Sequence, residues 1–136
     1  LSSLDNLVSI NSAMEIDFLG QVNSEMIGGR QVTGTGGSVD FMRGASASKG
    51  GRSIIAMTAT AARGKVSRII PSLVTGNAAT ALRTDIDYVV TEYGIARLRY
   101  LPQHERAKAL IEIAAPQFRD ELTEQARGLF GPLIGS

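Results

Sequence analysis

Residues Ser53-Ile54-Ile55-Ala56-Met57-Thr58-Ala59-Thr60 form a nearly unbroken apolar and β-branched run, the pattern of a strand buried on both faces. Such a strand needs cover on each side and a central place in its sheet. Asp87-Tyr88-Val89-Val90-Thr91 reads as a second buried strand that ends in Glu92-Tyr93-Gly94. The tail supplies cover. Pro102 suits the first turn of a helix on which Ala107, Leu110, Ile111 and Ala114 recur at helical spacing, and Pro116 opens another with Phe118, Leu122, Ala126 and Leu129 on one face. Buried strands followed by amphipathic helices predict an α/β fold, a mostly parallel open sheet with helical cover.

Shorter signals fill in the order. Leu7-Val8-Ser9-Ile10 reads as a strand, and the alternation in Ala13-Met14-Glu15-Ile16-Asp17-Phe18 predicts a second strand or hairpin, with turns at Gly20-Gln21-Val22-Asn23 and Gly28-Gly29. Val66–Leu73 and Ala78–Leu82 flank Thr75-Gly76-Asn77, the arrangement of a β-hairpin. The chain has 136 residues, enough to bury about two thirds of its unfolded surface around one core. Residues 1–136 are therefore expected to form a single domain. The first residue is Leu rather than Met, which suggests a portion of something longer.

Thr33-Gly34-Thr35-Gly36-Gly37-Ser38-Val39-Asp40-Phe41 places three glycines in four positions just before an expected helix, Val39–Ala47, with Ser38 as its N-cap. Glycines lack the Cβ that would screen main-chain donors, so the Gly36 and Gly37 amides join the first-turn donors in one electropositive notch. Neither G-x-G-x-x-G nor the phosphate-loop motif is spelled here. Asp40, in the first turn, already complements the helix dipole and would repel a pyrophosphate. A neutral carbonyl that becomes negative during reaction suits the notch better, as in an oxyanion hole. A plain glycine-rich tight turn is the structural alternative.

Charge is unevenly spread. Residues 1–40 hold five acids and one base; residues 41–84 hold seven bases (Arg43, Lys49, Arg52, Arg63, Lys65, Arg68, Arg83) and no acid; residues 85–136 hold eight acids and six bases. An acid-free run beside the glycine loop suggests that a polyanion sits there, unless acids elsewhere in the fold match it. Phe41 is the only aromatic in the run, too few for the stacking platforms of single-stranded nucleic acid binding. A small polyphosphorylated ligand fits better. With no cysteine and one histidine, disulfides, thiolate metal sites and histidine-rich metal clusters are excluded within the chain, so no metal is expected. The absence of a long apolar run or signal-like segment predicts a soluble, cytoplasmic protein without a membrane partner.

His104, on the tail helix between Gln103 and Glu105, reads as a helix-surface residue, and a Ser-His-Asp arrangement built on it alone is improbable. Glu92 ends a buried strand, where open α/β sheets place ligands. It is either a nucleophile or base, or a residue that caps or pairs with Arg97 or Arg99. Met14, Thr33 and the Ala59–Lys65 loop are expected on the same sheet edge, with Arg63 and Lys65 flanking Gly64 as a basic phosphate clamp.

The stretches Ser9-Ile10-Asn11-Ser12-Ala13-Met14-Glu15-Ile16-Asp17, Gly34-Thr35-Gly36-Gly37-Ser38-Val39-Asp40-Phe41 and Val89-Val90-Thr91-Glu92-Tyr93-Gly94-Ile95-Ala96 closely resemble the C-terminal domain of the acetyl-CoA hydrolase and 4-hydroxybutyrate CoA-transferase family, from about Leu7 to Leu122. The resemblance implies a CoA-transferase-like α/β domain, with coenzyme A as a substrate, acyl-CoA and a small carboxylate as partners, and no metal. It implies a ping-pong reaction in which a glutamate attacks an acyl-CoA and passes through an anhydride to a glutamyl-CoA thioester. In the family that glutamate lies upstream of the Asn11 strand, so an N-terminal domain is missing here and this chain alone should be inactive. Gly36 and Gly37 resemble the oxyanion donors. Met14, Thr33, Ser38, Arg63 and Lys65 fall to the CoA-binding side, Ala62 standing where a lysine is usual. A homo-oligomer is compatible with this reading. The competing expectations are a stand-alone nucleotide or polyanion-binding module without chemistry, and a purely structural assembly domain.

Overall fold

The structure is a computed structural model that describes residues 8–23, 26–27, 30–31, 52–73 and 86–134. In chain order the strands are β1 (Val8–Asn11), β2 (Glu15–Asp17), β3 (Val22–Asn23), β4 (Met26–Ile27), β5 (Arg30–Gln31), β6 (Arg52–Ala56), β7 (Thr60–Ala61), β8 (Val66–Ser67), β9 (Ile69–Ile70), β10 (Tyr88–Thr91) and β11 (Gly94–Arg97). Two helices, α1 (Gln103–Glu112) and α2 (Pro116–Phe130), follow, and a 3-10 turn (Gly131–Ile134) closes the described chain. The main sheet runs β1-β6-β10-β11. β6 pairs in parallel with β1 (Ile10↔Ile54) and with β10 (Val89↔Ile55), and β11 returns antiparallel to β10 (Val90↔Ile95).

The central place expected for the Ser53 run is therefore occupied, and the α/β architecture stands with two of its three main pairings parallel. One face carries the core. Ser53 and Ile55, Val89 and Thr91, and Ala96 are all buried on it. Ile55, Val89 and Ala96 share one apolar cluster with Ala107, Leu110 and Ile111 of α1 and Leu122 and Ala126 of α2. Removing a side chain such as Ile55 from water contributes about 2 kcal/mol. The opposite face is more open: Ile54 and Ala56 are half-buried, and Ile10 and Ile95 are 66% and 68% exposed. Two-sided burial thus holds for one side among the described residues.

A second sheet, β3-β2-β9, joins the core through Ile16, Val22 and Ile69, each fully buried, with Ile16 paired to both of the others. Its turn is closed by Asp17. That carboxylate, 1% exposed, accepts the N–H groups of Leu19 at 3.0 Å and Gln21 at 2.9 Å through Oδ1 and of Leu73 at 3.4 Å through Oδ2. Burial pushes its carboxyl above the ordinary 3.8, and the backbone donors pull it back only in part.

Several expectations are corrected. The apolar run does not stay one strand to Thr60: β6 ends at Ala56, Thr58 is exposed, and the chain turns so that Ala59 buries again before β7. Strand, turn and next strand all happen to be apolar. Val66–Ser67 pairs with β7 and Ile69–Ile70 with β2; the proposed partner 78–82 lies outside the described residues, as does the helix expected at 39–47. Leu129 is 60% exposed rather than on the buried face. Phe130 packs against the core instead, and after Gly131, at φ +60°, Ile134, 7% exposed, joins the same cluster.

Candidate active site

Because β1, β6 and β10 run in parallel, their carboxyl ends meet along one edge, the ligand-bearing edge of an open α/β sheet. Three segments leave that edge: Ser12–Met14, Met57–Lys65 and Glu92–Tyr93. Glu92 is exposed, and its Oε1 accepts the Ala59 N–H at 2.7 Å. It caps a backbone amide of the neighbouring segment instead of pairing with Arg97 or Arg99. Arg99 is taken at the other end of the sheet, where its Nη1 lies 3.3 Å from Asp87 Oδ1. The Glu92 turn is braced from beneath. Thr91 Oγ1 donates to the Ile113 carbonyl at 2.6 Å and accepts the Tyr93 N–H at 3.1 Å. The Arg119 guanidinium lies 5.6 Å from the centre of the Tyr93 ring, while its Nε donates to the Ala114 carbonyl at 2.9 Å.

The segment between β7 and β8 is unusual in its backbone. Ala62, Arg63 and Gly64 have φ of +52°, +58° and +84° in succession. The Ala61 carbonyl accepts the Gly64 N–H at 3.2 Å, and the Ala62 carbonyl accepts the Lys65 N–H at 3.3 Å. A left-handed conformation costs a non-glycine residue about 1–2 kcal/mol, and such strain gathers at ligand clamps and active sites. Arg63 and Lys65 are both exposed on this turn, and neither forms a side-chain hydrogen bond or ion pair among the described residues. Gln117 Nε2, from the first turn of α2, donates to the Gly64 carbonyl at 3.4 Å.

Met14 is half-buried and lines a cavity of 260 Å³ with Glu15, Ala61, Val66, Ser67 and Arg68. The segment that follows β1 and the β7–β8 strands therefore share one hollow, while Arg63 and Lys65 are not among its lining residues. Arg68 holds them together. Its Nε donates to the Thr60 carbonyl at 3.1 Å, and its Nη1 donates to the carbonyls of Ala13 at 3.2 Å and Met14 at 3.1 Å. Nothing in the linear sequence separates Arg68 from its basic neighbours, because the three carbonyls it binds come from two other segments. Thr33, Gly36, Gly37 and Ser38 lie outside the described residues, as do Arg43, Lys49 and Arg83. His104 sits on α1, its Nε2 3.5 Å from Glu105 Oε1. Among the described residues, no three of His, Cys, Asp and Glu gather closely enough to hold a metal ion, and no helix is long and apolar enough to cross a membrane.

This edge carries an exposed carboxylate, exposed cations and a strained turn, and the same sequence matches a known family. Residues 1–126 match the acetyl-CoA hydrolase/transferase C-terminal domain. The chain belongs to that family. It is 55% identical over 126 residues to the 4-hydroxybutyrate coenzyme A transferase of Clostridium kluyveri, a match that covers 93% of this chain and 29% of the relative. Among solved structures it is similar to RipA from Yersinia pestis, with a TM-score of 0.81 at 49% identity over 93% of this chain and 27% of that one. It is also similar to a 4-hydroxybutyrate CoA-transferase from Porphyromonas gingivalis, with a TM-score of 0.77 at 45% identity over 95% of this chain and 28% of that one. The acetyl-CoA hydrolase/transferase domain thus spans less than a third of the length of the relatives it matches. Its family and its α/β fold agree with those implied by the three motifs.

Proposed function

We propose that this domain supplies the oxyanion donors and the CoA-holding surface of an acyl-CoA:carboxylate CoA-transferase, with acetyl-CoA as an acyl donor. The observation that carries the reading is the turn at Arg63–Lys65: two exposed cations without acidic partners among the described residues, the first of them on strained backbone, at the ligand edge of the sheet. They would hold the phosphates of CoA, and Met14, Thr33 and Ser38 would add to the CoA-binding side.

The nucleophile belongs to a further domain of the same polypeptide. Its glutamate carboxylate adds to the thioester carbonyl, the carbon–sulfur bond breaks, and the CoA thiolate leaves a mixed anhydride. The thiolate then adds to the glutamyl carbonyl and releases the donor's carboxylate, which forms the glutamyl-CoA thioester. The acceptor carboxylate runs the sequence in reverse and takes the CoA. Each addition places negative charge on a carbonyl oxygen, and the Gly36 and Gly37 amides stabilise it. The chain alone lacks the nucleophile in this reading and should be inactive. Its expected location is the cytoplasm.

Replacing Gly37 by Ala in the complete enzyme tests the central role. Alanine keeps the N–H but adds a Cβ at the notch and disfavours the backbone conformations open to glycine, so the amide is turned off the oxygen; a misaimed oxyanion donor corresponds to about 3 kcal/mol, or a hundred-fold or greater drop in kcat, with little change in CoA affinity. Unchanged turnover would overturn the assignment. Salt-sensitive binding of ATP in preference to CoA would instead favour a polyanion-binding module without chemistry.

A further inference from the structure

A second cavity, of 350 Å³, lies between the β8–β9 segment and α2. Its helical wall is made by Phe118, Glu121, Leu122 and Gln125, spaced as one face of α2, and its strand wall includes Lys65 and Ile70. The lining is graded along the helix. The hydrogen bond from Gln117 to Gly64 fixes the Lys65 turn at the first turn of α2. Half-buried Phe118 and buried Leu122 give the middle an aromatic and aliphatic surface. At the far end, about 10 Å along the axis from Phe118, Gln125 offers an amide, and Glu121 offers an acceptor on the way.

The order along the helix is cation, apolar surface with a carboxylate beside it, then an amide one turn beyond the carboxylate. It suits a phosphorylated adenosine laid along the groove with its phosphates toward Lys65. A side-chain amide can pair in bidentate fashion with the exocyclic amine and N7 of adenine, and a carboxylate accepts from the same amine. A guanine would present its carbonyl oxygen there and be repelled by Glu121. The first turn of a fifteen-residue helix adds a favourable dipole at the phosphate end. The volume is near the lower end of the range of about 300–1,000 Å³ for ligand pockets, so it takes a nucleoside and not a whole cofactor. We propose that this slot receives the adenine of coenzyme A, seated against Phe118 and read by Gln125 and Glu121. The inference rests on the CoA reading above and extends the Arg63–Lys65 clamp to the rest of the nucleotide.

The test compares CoA with phosphopantetheine, which lacks the adenosine, by calorimetry on the complete polypeptide that bears this domain. The wild type should bind CoA at least ten-fold more tightly than phosphopantetheine. Phe118→Leu keeps an apolar side chain against the core, and Gln125→Ala changes an exposed position. Each should weaken CoA binding, by about ten-fold for the ring and about five-fold for the amide, and leave phosphopantetheine binding unchanged. Variants that bind both ligands like the wild type would overturn the slot and leave the CoA reading intact. A wild type that binds neither ligand would overturn the CoA reading, and the slot with it.

Discussion

The strands β6 and β10 are tied together at both ends by carboxylates, and the two ends differ in what is left over. At the amino end Asp87 is 2% exposed, its Oδ2 accepts the Ser53 N–H at 2.8 Å, and its Oδ1 faces Arg99. At the carboxyl end Glu92 accepts the Ala59 N–H at 2.7 Å, remains exposed, and has no ion-pair partner among the described residues. The same type of hydrogen bond closes both ends. Only the open end keeps a carboxylate oxygen for anything else. The cations divide similarly: Arg68 gives its guanidinium to three carbonyls, whereas the charged groups of Arg63 and Lys65, five and three residues before it, take no hydrogen-bond partner among the described residues. Unused bonding capacity, rather than charge itself, separates the site from the scaffold.

The largest test of that contrast lies at the sealed end. Asp87→Ala removes the buried acceptor of the Ser53 N–H and the carboxylate that faces Arg99, so urea unfolding should show a loss of about 3 kcal/mol. A loss near zero would mean that water reaches this end and that the two ends are alike. Arg68→Ala comes next, at about 2 kcal/mol, because three carbonyls lose a charged donor in a half-buried place. If Arg68→Ala were neutral in stability but weakened CoA binding, Arg68 would have to move to the side of Arg63 and Lys65.

What could be read in advance follows from the range of each interaction. The central strand and both helices were legible because their signals are local: β-branched continuity around Ile54 and Ile55, and helical spacing of Ala107, Leu110, Ile111, Leu122 and Ala126. Strands β2, β3 and β9 have two or three residues each, too few for a period to show, although β2 was anticipated from alternation. Leu129 misled because the buried stripe of α2 steps by four, from Leu122 and Ala126 to half-buried Phe130, which leaves Leu129 outside it. For Glu92 the sequence left two roles open, and the choice turned on an amide 33 positions away. The left-handed turn was hidden for another reason. Ala62 and Arg63 are residues that ordinarily avoid positive φ, so only Gly64 marked it.

Smaller effects sharpen the open end. Glu92→Ala removes one acceptor from a partly buried amide and should lower stability by about 1 kcal/mol, while Glu92→Gln, which keeps an acceptor oxygen, should recover most of it in the same unfolding assay. If Glu92→Gln were as destabilised as Glu92→Ala, the charge and not the hydrogen bond would be what ties Ala59.

The smallest change in stability is expected at Arg63, and its sign is informative. Arg63→Gly relieves a left-handed strain of about 1 kcal/mol, but glycine adds chain entropy to the unfolded state worth roughly 0.5–1 kcal/mol, so the unfolding free energy should move by less than about 0.5 kcal/mol. Binding should not be so indifferent. If Arg63 belongs to the proposed phosphate clamp, its loss should weaken CoA about five-fold and flatten the dependence of affinity on salt. A site residue held in an unfavourable backbone conformation would then be exchangeable for the fold and not for the ligand. If Arg63→Gly instead lowered stability by 2 kcal/mol and left CoA binding untouched, Arg63 would be a scaffold cation like Arg68, and the strained turn would have to be explained by packing alone.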